Sequence, residues 1–271
     1  MAPLIRSEAD PLREVLVSPP LPSYGDVDMR LHNWVARPDL RRAAEEHAEL
    51  VDLLRDGGAK VDILPGDPAF PNHIYPRDTA LIGPRGAWLS RFGLPSRRGE
   101  EQRVGKALEA AGVPLVGATR EPGTFEGGGD AIVLGATAFV GVTERTNGAG
   151  AEQVASFLRR DGIETRLVRV GLSFHLGEPL GIVDDRTLLV DERWSAEPAF
   201  RDFERIEVPA SEVGGGNVLV LGRRKLIIHD GYPETIRRLR AAGVDAIPAD
   251  LTELKKAGGG PQCLTLPLRR G

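Results

Sequence analysis

A five-bladed α/β propeller is the fold class that the sequence predicts, and three observations predict it. A unit of strand, strand, helix and strand recurs at about 42–50 residues, the range in which repeats signal propellers or solenoids. One polar residue ahead of each repeat's first strand keeps step with it: Asp78, Glu126, His175, Asn217 and Cys263 follow one another at 48, 49, 42 and 46 residues. The two ends of the chain each hold part of a unit, so the termini share a blade and close the ring. The expectation is one α/β-propeller domain over residues 1–271.

Taken in order, residues 13–17 (REVLV) read as a short buried strand, ended by SPPLPSYGDVD. Residues 19–36 are proline-rich and aperiodic, with Tyr24, His32 and Trp34 as their large side chains. They read as a surface loop or, since long loops in compact domains are often lids, as a mobile cover over a ligand. PDLRRAAEEHAELVDLLRDGG has a Pro-Asp start, helical apolar spacing and a Gly-Gly stop, so it is a helix, with His47 expected on its exposed side. KVDILP follows as a strand.

The second unit is TALIG, GAWLSRF, the helix GEEQRVGKALEAAG and VPLVG; the third is DAIVLG, TAFVGV, the helix GAGAEQVASFLRRDG and ETRLVRV. The fourth is PLGIVDD, RTLLVDE, a short helix near residues 197–203 and RIEVPA. The fifth is NVLVLG, RKLIIHD, the helix YPETIRRLRAAG and DAIPAD. LTLPL, behind Cys263, supplies the last strand.

Composition narrows the function classes. A hydrophobic content of 41% suits a globular protein, and a net charge of −4 argues against nucleic acid as a main partner. No run approaches the 18 or so apolar residues of a membrane span, and MAPLIRSEADPLREV lacks the apolar core of a signal peptide. With one cysteine, the expected location is the reducing cytoplasm. Exposed blade edges permit a homodimer without demanding one.

That cysteine stands in AGGGPQCLT, where three glycines and a proline forbid regular helix and let backbone or ligand approach the thiol. It has no disulfide partner and no metal-knuckle spacing. Around a propeller axis the five junction residues converge, which predicts a thiol, an imidazole and at least two carboxylates (Asp78 and Glu126, with Asp130 beside the latter) in one central site. A cysteine attacks a planar carbon while a histidine moves protons to the leaving group and then from water. Facing carboxylates suit a guanidinium, and their mutual repulsion raises their own pKa values until the cation arrives. Asn217 reads as a structural residue closing a glycine turn. Arg97 in PSRRGEE and Arg145 in ERTNGAG both precede helices, an arrangement that suits a carboxylate. Carboxylates at one end and arginines at the other fit an α-amino acid that carries a guanidinium.

At this point the residues resemble the guanidino-group-modifying enzymes, the amidinotransferase superfamily of five-bladed penteins. The likeness runs over residues 15–269. SRRGE and RTN look like the dimethylargininase pair that holds the substrate carboxylate, implying Arg97 and Arg145. PNHIYPRD looks like the arginine deiminase segment, implying that Asp78 grips the guanidinium with Asn72 on the same substrate-binding side. FEGGGDA, LSRF and AGGGPQCLTL resemble arginine dihydrolase. Arg77 stands where dimethylargininases carry an acidic residue. The resemblance implies Glu126, His175 and Cys263 as the catalytic set and Asp130 among the substrate-binding residues. It implies hydrolysis of a guanidinium C–N bond through a covalent S-alkylthiouronium.

The substrate expected first is an Nω-methylated L-arginine, giving citrulline and methylamine or dimethylamine. Deimination or dihydrolysis of arginine follows closely, and a non-catalytic arginine-binding propeller is the reading from another class. No cofactor is called for, and the scattered His and Asp residues offer no metal-ligand spacing.

Overall fold

The computed structural model describes residues 4–25, 27–32 and 34–271, and the unit recurs five times over them. Strand β1 (Leu12–Val17) is followed by the short helix α1 (Met29–His32), helix α2 (Leu40–Asp56) and β2 (Lys60–Ile63). Strands β3 (Ala80–Ile82) and β4 (Ala87–Leu89) lead through α3 (Glu100–Ala110) to β5 (Leu115–Ala118). The one-turn helix α4 (Gly127–Asp130) opens the third unit of β6 (Ala131–Leu134), β7 (Thr137–Val142), α5 (Gly148–Arg159) and β8 (Glu164–Arg169). The fourth unit has β9 (Leu180–Asp184), β10 (Thr187–Asp191) and β11 (Glu204–Val208). The fifth has β12 (Leu219–Gly222), β13 (Lys225–His229), α6 (Pro233–Ala241) and β14 (Asp245–Ala249). Strand β15 (Leu266–Arg270) then returns to pair with β1.

Each of the five sheets has three strands, and its middle strand runs antiparallel to one neighbour and parallel to the other. A parallel pair needs a crossover, and the helices between the second and third strands supply it. In the fourth unit the crossover is two 3-10 turns, Glu192–Trp194 and Pro198–Phe200, where a short helix is predicted. Pro198 opens the second turn and holds Glu197 in extended backbone, which keeps the two turns from merging into one helix.

Closure of the ring shows in the core. Strands buried on both faces send alternate residues to opposite neighbours. Leu16 and Ile82 share one apolar cluster, Leu81 and Val133 a second, and Leu134 and Ile182 a third. Val183 and Leu226 share the fourth, and Ile227 and Val15 the fifth, which joins the last sheet to the first. The chain is therefore a five-bladed α/β propeller. None of the helices among the described residues is long and apolar enough to cross a membrane.

Two expectations about the first unit change. His47 is buried, because Ala43, His47, Leu50 and Leu54 form one stripe at helical spacing on the inner face of α2. Burial there holds the imidazole down at about 4, below its ordinary range. Residues 19–36, read as a loop, contain the 3-10 turn Pro22–Gly25 and α1, while residues 26 and 33 lie outside the described residues. Tyr24 and Trp34 stack within 4.3 Å, and Val35 donates its N–H to the Lys256 carbonyl at 2.8 Å. Tyr24 and Trp34 of this stretch are thus buried against the propeller.

Candidate active site

All five junction residues line one cavity of about 490 Å³. Asp78 sits in a 3-10 turn, Pro76–Thr79, whose form is pinned by Ser90 Oγ donating to the Asp78 carbonyl at 2.6 Å. Glu126 precedes α4, and its N–H is held by Thr146 Oγ1 at 3.1 Å. The three glycines after Glu126 let blades two and three meet edge to edge: a Cβ on Gly129 would stand 2.7 Å from Asp78 Oδ1 and 3.4 Å from His175 Cγ. The sequence motif is therefore a packing requirement of the site.

His175 Nε2 bonds Glu126 Oε2 at 2.8 Å. Burial lowers the imidazole's pKa, but Asp78, Asp130 and Glu126 more than offset it and raise the value to about 10. His175 is thus an imidazolium at neutral pH. Glu126 is lowered: burial pushes it up, and the bond to His175, helped by Arg97 and Arg145, wins. This reverses the expected rise by mutual repulsion, because cations already face this carboxylate. Burial, aided by Asp78, pushes the Cys263 thiol up to about 12, so it rests protonated.

Asn217 does more than close a turn. Its Nδ2 donates to Cys263 Sγ at 3.0 Å, and its Oδ1 accepts from the Gln262 N–H at 3.0 Å. The glycines before the cysteine admit side chains, where backbone or ligand was expected. A Cβ on Gly260 would lie 2.7 Å from Asn217 Oδ1, and one on Gly259 would overlap the Tyr75 ring.

The arginines divide differently from expectation. Arg97 lies among the carboxylates: its Nη1 is 2.7 Å from Asp78 Oδ2 and 4.0 Å from Glu126 Oε2, its Nη2 is 2.8 Å from Glu100 Oε2, and Phe92 covers its face at 4.4 Å. A fully buried guanidinium needs such compensation, and the helix start supplies Glu100 three residues on. Arg145 remains at the cavity wall over the Phe174 ring at 5.0 Å. Asn72 lines the cavity with its side chain turned to the 19–36 stretch, accepting from Trp34 Nε1 at 2.5 Å.

Asp130 is not a cavity residue. Thr143 Oγ1 (3.1 Å), Thr146 Oγ1 (2.5 Å) and the Leu176 N–H (3.0 Å) take up its oxygens behind the wall. Burial raises it to about 7. Those three donors hold its side chain away from the cavity. Arg77 likewise faces away and pairs with the buried Glu8 of the N-terminal segment.

Sequence reading missed Glu178, which lines the cavity with Oε1 3.8 Å from His175 Nδ1. Its signal was its place in the His175 junction, three residues on and flanked by glycine and proline. It also missed that Asp78, Glu126 and His175 bring one ligand atom each within 4.8 Å of one another, a spacing that a metal ion accepts. The Arg97 guanidinium already supplies positive charge to that group. Asp78 Oδ1 and Glu126 Oε1 are buried and accept no hydrogen bond among the described residues.

Comparison with known proteins places these residues in context. A family model described as "N,N dimethylarginine dimethylhydrolase, eukaryotic" matches residues 36–169. The N(G),N(G)-dimethylarginine dimethylaminohydrolase of Pseudomonas aeruginosa is 30% identical over 245 residues, 90% of this chain and 96% of that protein. The crystal structure of a cysteine-to-serine variant of the P. aeruginosa enzyme with citrulline superposes with a TM-score of 0.85 at 28% identity, covering 94% of this chain and 99% of that one. The N-terminal domain of a cyanobacterial arginine dihydrolase shares the fold, with a TM-score of 0.84 at 22% identity over 95% of this chain and 98% of that one.

Proposed function

This chain belongs to the dimethylarginine dimethylaminohydrolase family of the guanidino-group-modifying superfamily, and from that premise we propose that it hydrolyses the guanidinium C–N bond of an Nω-methylated L-arginine. One observation carries the reading: among the described residues Asp78 and Glu126 each keep a buried oxygen without a donor, and both residues line the cavity that also holds the Cys263 thiol and the His175 imidazolium. Guanidinium N–H groups fit those acceptors.

Entry of the cation beside the thiol offsets the burial and the Asp78 charge that hold it protonated, so the thiol gives its proton up to bulk water as substrate binds. The thiolate attacks the guanidinium carbon and forms a C–S bond. The C–N bond to the substituted nitrogen breaks, and the His175 proton leaves with the amine. Water then attacks the S-alkylthiouronium and His175 takes one of its protons; as the C–S bond breaks, the remaining hydroxyl proton passes to the sulfur, releasing L-citrulline and the resting thiol. Asn217 steadies the sulfur through its Nδ2 donor. Arg145, the partly exposed arginine of the cavity wall, serves the α-carboxylate. Arginine itself is the second reading, favoured by the acidic Glu178 beside His175.

The test is incubation with L-arginine, monomethylarginine and asymmetric dimethylarginine, followed by mass spectrometry. Citrulline with methylamine or dimethylamine is the expected result. Citrulline or ornithine with ammonia from arginine moves the chain to the second reading, and no product from any of the three overturns both. Cys263→Ser is expected to lower kcat by about 1,000-fold or more, since a nucleophile that acts as a unit with its acid–base partner carries most of the rate. Near-normal turnover in that variant would remove the covalent mechanism.

A further inference from the structure

We propose that Glu178 selects the substrate's leaving nitrogen, accepting an N–H from it and so favouring monomethylarginine over asymmetric dimethylarginine. This rests on the guanidinium-hydrolase reading and sharpens its substrate class.

His175 has two ring nitrogens, and Nε2 is engaged by Glu126 at 2.8 Å. Nδ1 is therefore the nitrogen left to deliver a proton to the departing amine. Glu178 Oε1 lies 3.8 Å from Nδ1, too far for a hydrogen bond between them. Both residues line the cavity, and the Glu178 side chain is only 19% exposed. Among the described residues His175 is its one ion-pair partner.

A third atom at hydrogen-bond distance, about 2.9 Å, from both Nδ1 and Oε1 would see them at an angle of about 80°. That angle matches a guanidinium nitrogen. Its lone pair develops perpendicular to the guanidinium plane as the C–N bond breaks, and this is where the His175 proton must arrive. Its remaining N–H lies in the plane, close to a right angle away, where Glu178 accepts it. The carboxylate thus stays bonded as the amine departs with one more proton than it brought.

A dimethylated nitrogen has no N–H. It would press a methyl group against Glu178, taking water from the carboxylate without replacing the hydrogen bond. Sites built to hydrogen-bond a substrate N–H reject analogues that lack it more strongly than apolar pockets reject an extra methyl group. Partial exposure of Glu178 moderates the effect to a preference on the order of 100-fold.

The experiment measures kcat/KM for arginine, monomethylarginine and asymmetric dimethylarginine with the wild-type chain, Glu178→Gln, Glu178→Leu and Glu178→Ser. Calorimetry of the same three ligands with Cys263→Ser runs alongside. The wild type is expected to favour a leaving nitrogen that bears hydrogen. Glu178→Gln, whose carbonyl still accepts, should keep most of that preference. Glu178→Leu and Glu178→Ser should bring dimethylarginine to within several-fold of monomethylarginine. Equal use of mono- and dimethylarginine by the wild type, or a ratio unmoved in the Leu and Ser variants, overturns the proposal while leaving the hydrolase reading intact. Neither heat nor product with any of the three ligands overturns the hydrolase reading and the proposal together.

Discussion

His175 holds its proton because three carboxylates surround it, and that proton has a consequence for stability as well as for the leaving group. The folded value near 10 lies above the ordinary 6.5. A raised imidazole stabilises the fold fully below the unfolded value and loses that contribution as pH rises through the folded one. The melting temperature of the wild-type chain is therefore expected to exceed that of His175→Gln most clearly below about pH 6.5. The gap should narrow steadily toward about pH 10. A gap that widens with pH would contradict the assignment of an imidazolium. At this scale Glu126, His175, Asn217 and Cys263, which the repeat brings to the axis, line the cavity. The directions of the Asp130 and Arg97 side chains were not legible, because spacing places a Cα and leaves open which way a side chain turns; Arg97 lines the cavity and Asp130 lies behind it. Two threonine hydroxyls waiting at 143 and 146 decided the first case. Glu100, one helical turn from Arg97, decided the second.

Glycine-rich junctions are the elements through which blades meet at the site. Gly260→Ala would set a Cβ 2.7 Å from Asn217 Oδ1 and 2.9 Å from its Cγ, displacing the carboxamide that touches the thiol. Overpacking of this kind costs about 1–3 kcal/mol. Gly260→Ala is expected to show that loss in urea titration together with a lower kcat, and an unchanged kcat would separate the junction from the chemistry. Gly148, the first residue of α5, meets nothing within 4 Å of the same imagined Cβ, so Gly148→Ala serves as the control and should leave kcat unchanged while raising stability by up to about 1 kcal/mol. The helices and most strands were legible from periodicity, since each carries its apolar residues at the spacing of its own repeat. The 19–36 stretch was not, because prolines break its pattern and its order comes from Tyr24, Trp34 and their partners elsewhere.

Five apolar clusters hold the whole molecule as a ring, each shared by two neighbouring blades. A cavity in any one of them weakens two sheets at once. Phe139 is fully buried against Phe200 and Phe203 at the interface of the third and fourth blades. Phe139→Ala is expected to cost about 3–5 kcal/mol, lowering the melting temperature by roughly 10 °C in a single transition. A separate early transition would instead show that the blades unfold independently.

The sequence by itself determined the repeat, the order of the elements, and which residue of each repeat stands at the central mouth. These follow from chemistry that is local or periodic: apolar spacing, glycine and proline punctuation, and one polar residue per unit. Only the tertiary structure decided charge and direction. It set His175 among carboxylates, Arg97 against Asp78, Asp130 behind the wall and Glu178 beside the His175 imidazole. Each depends on groups tens of residues apart brought within a few ångströms, where burial makes charges act on one another strongly.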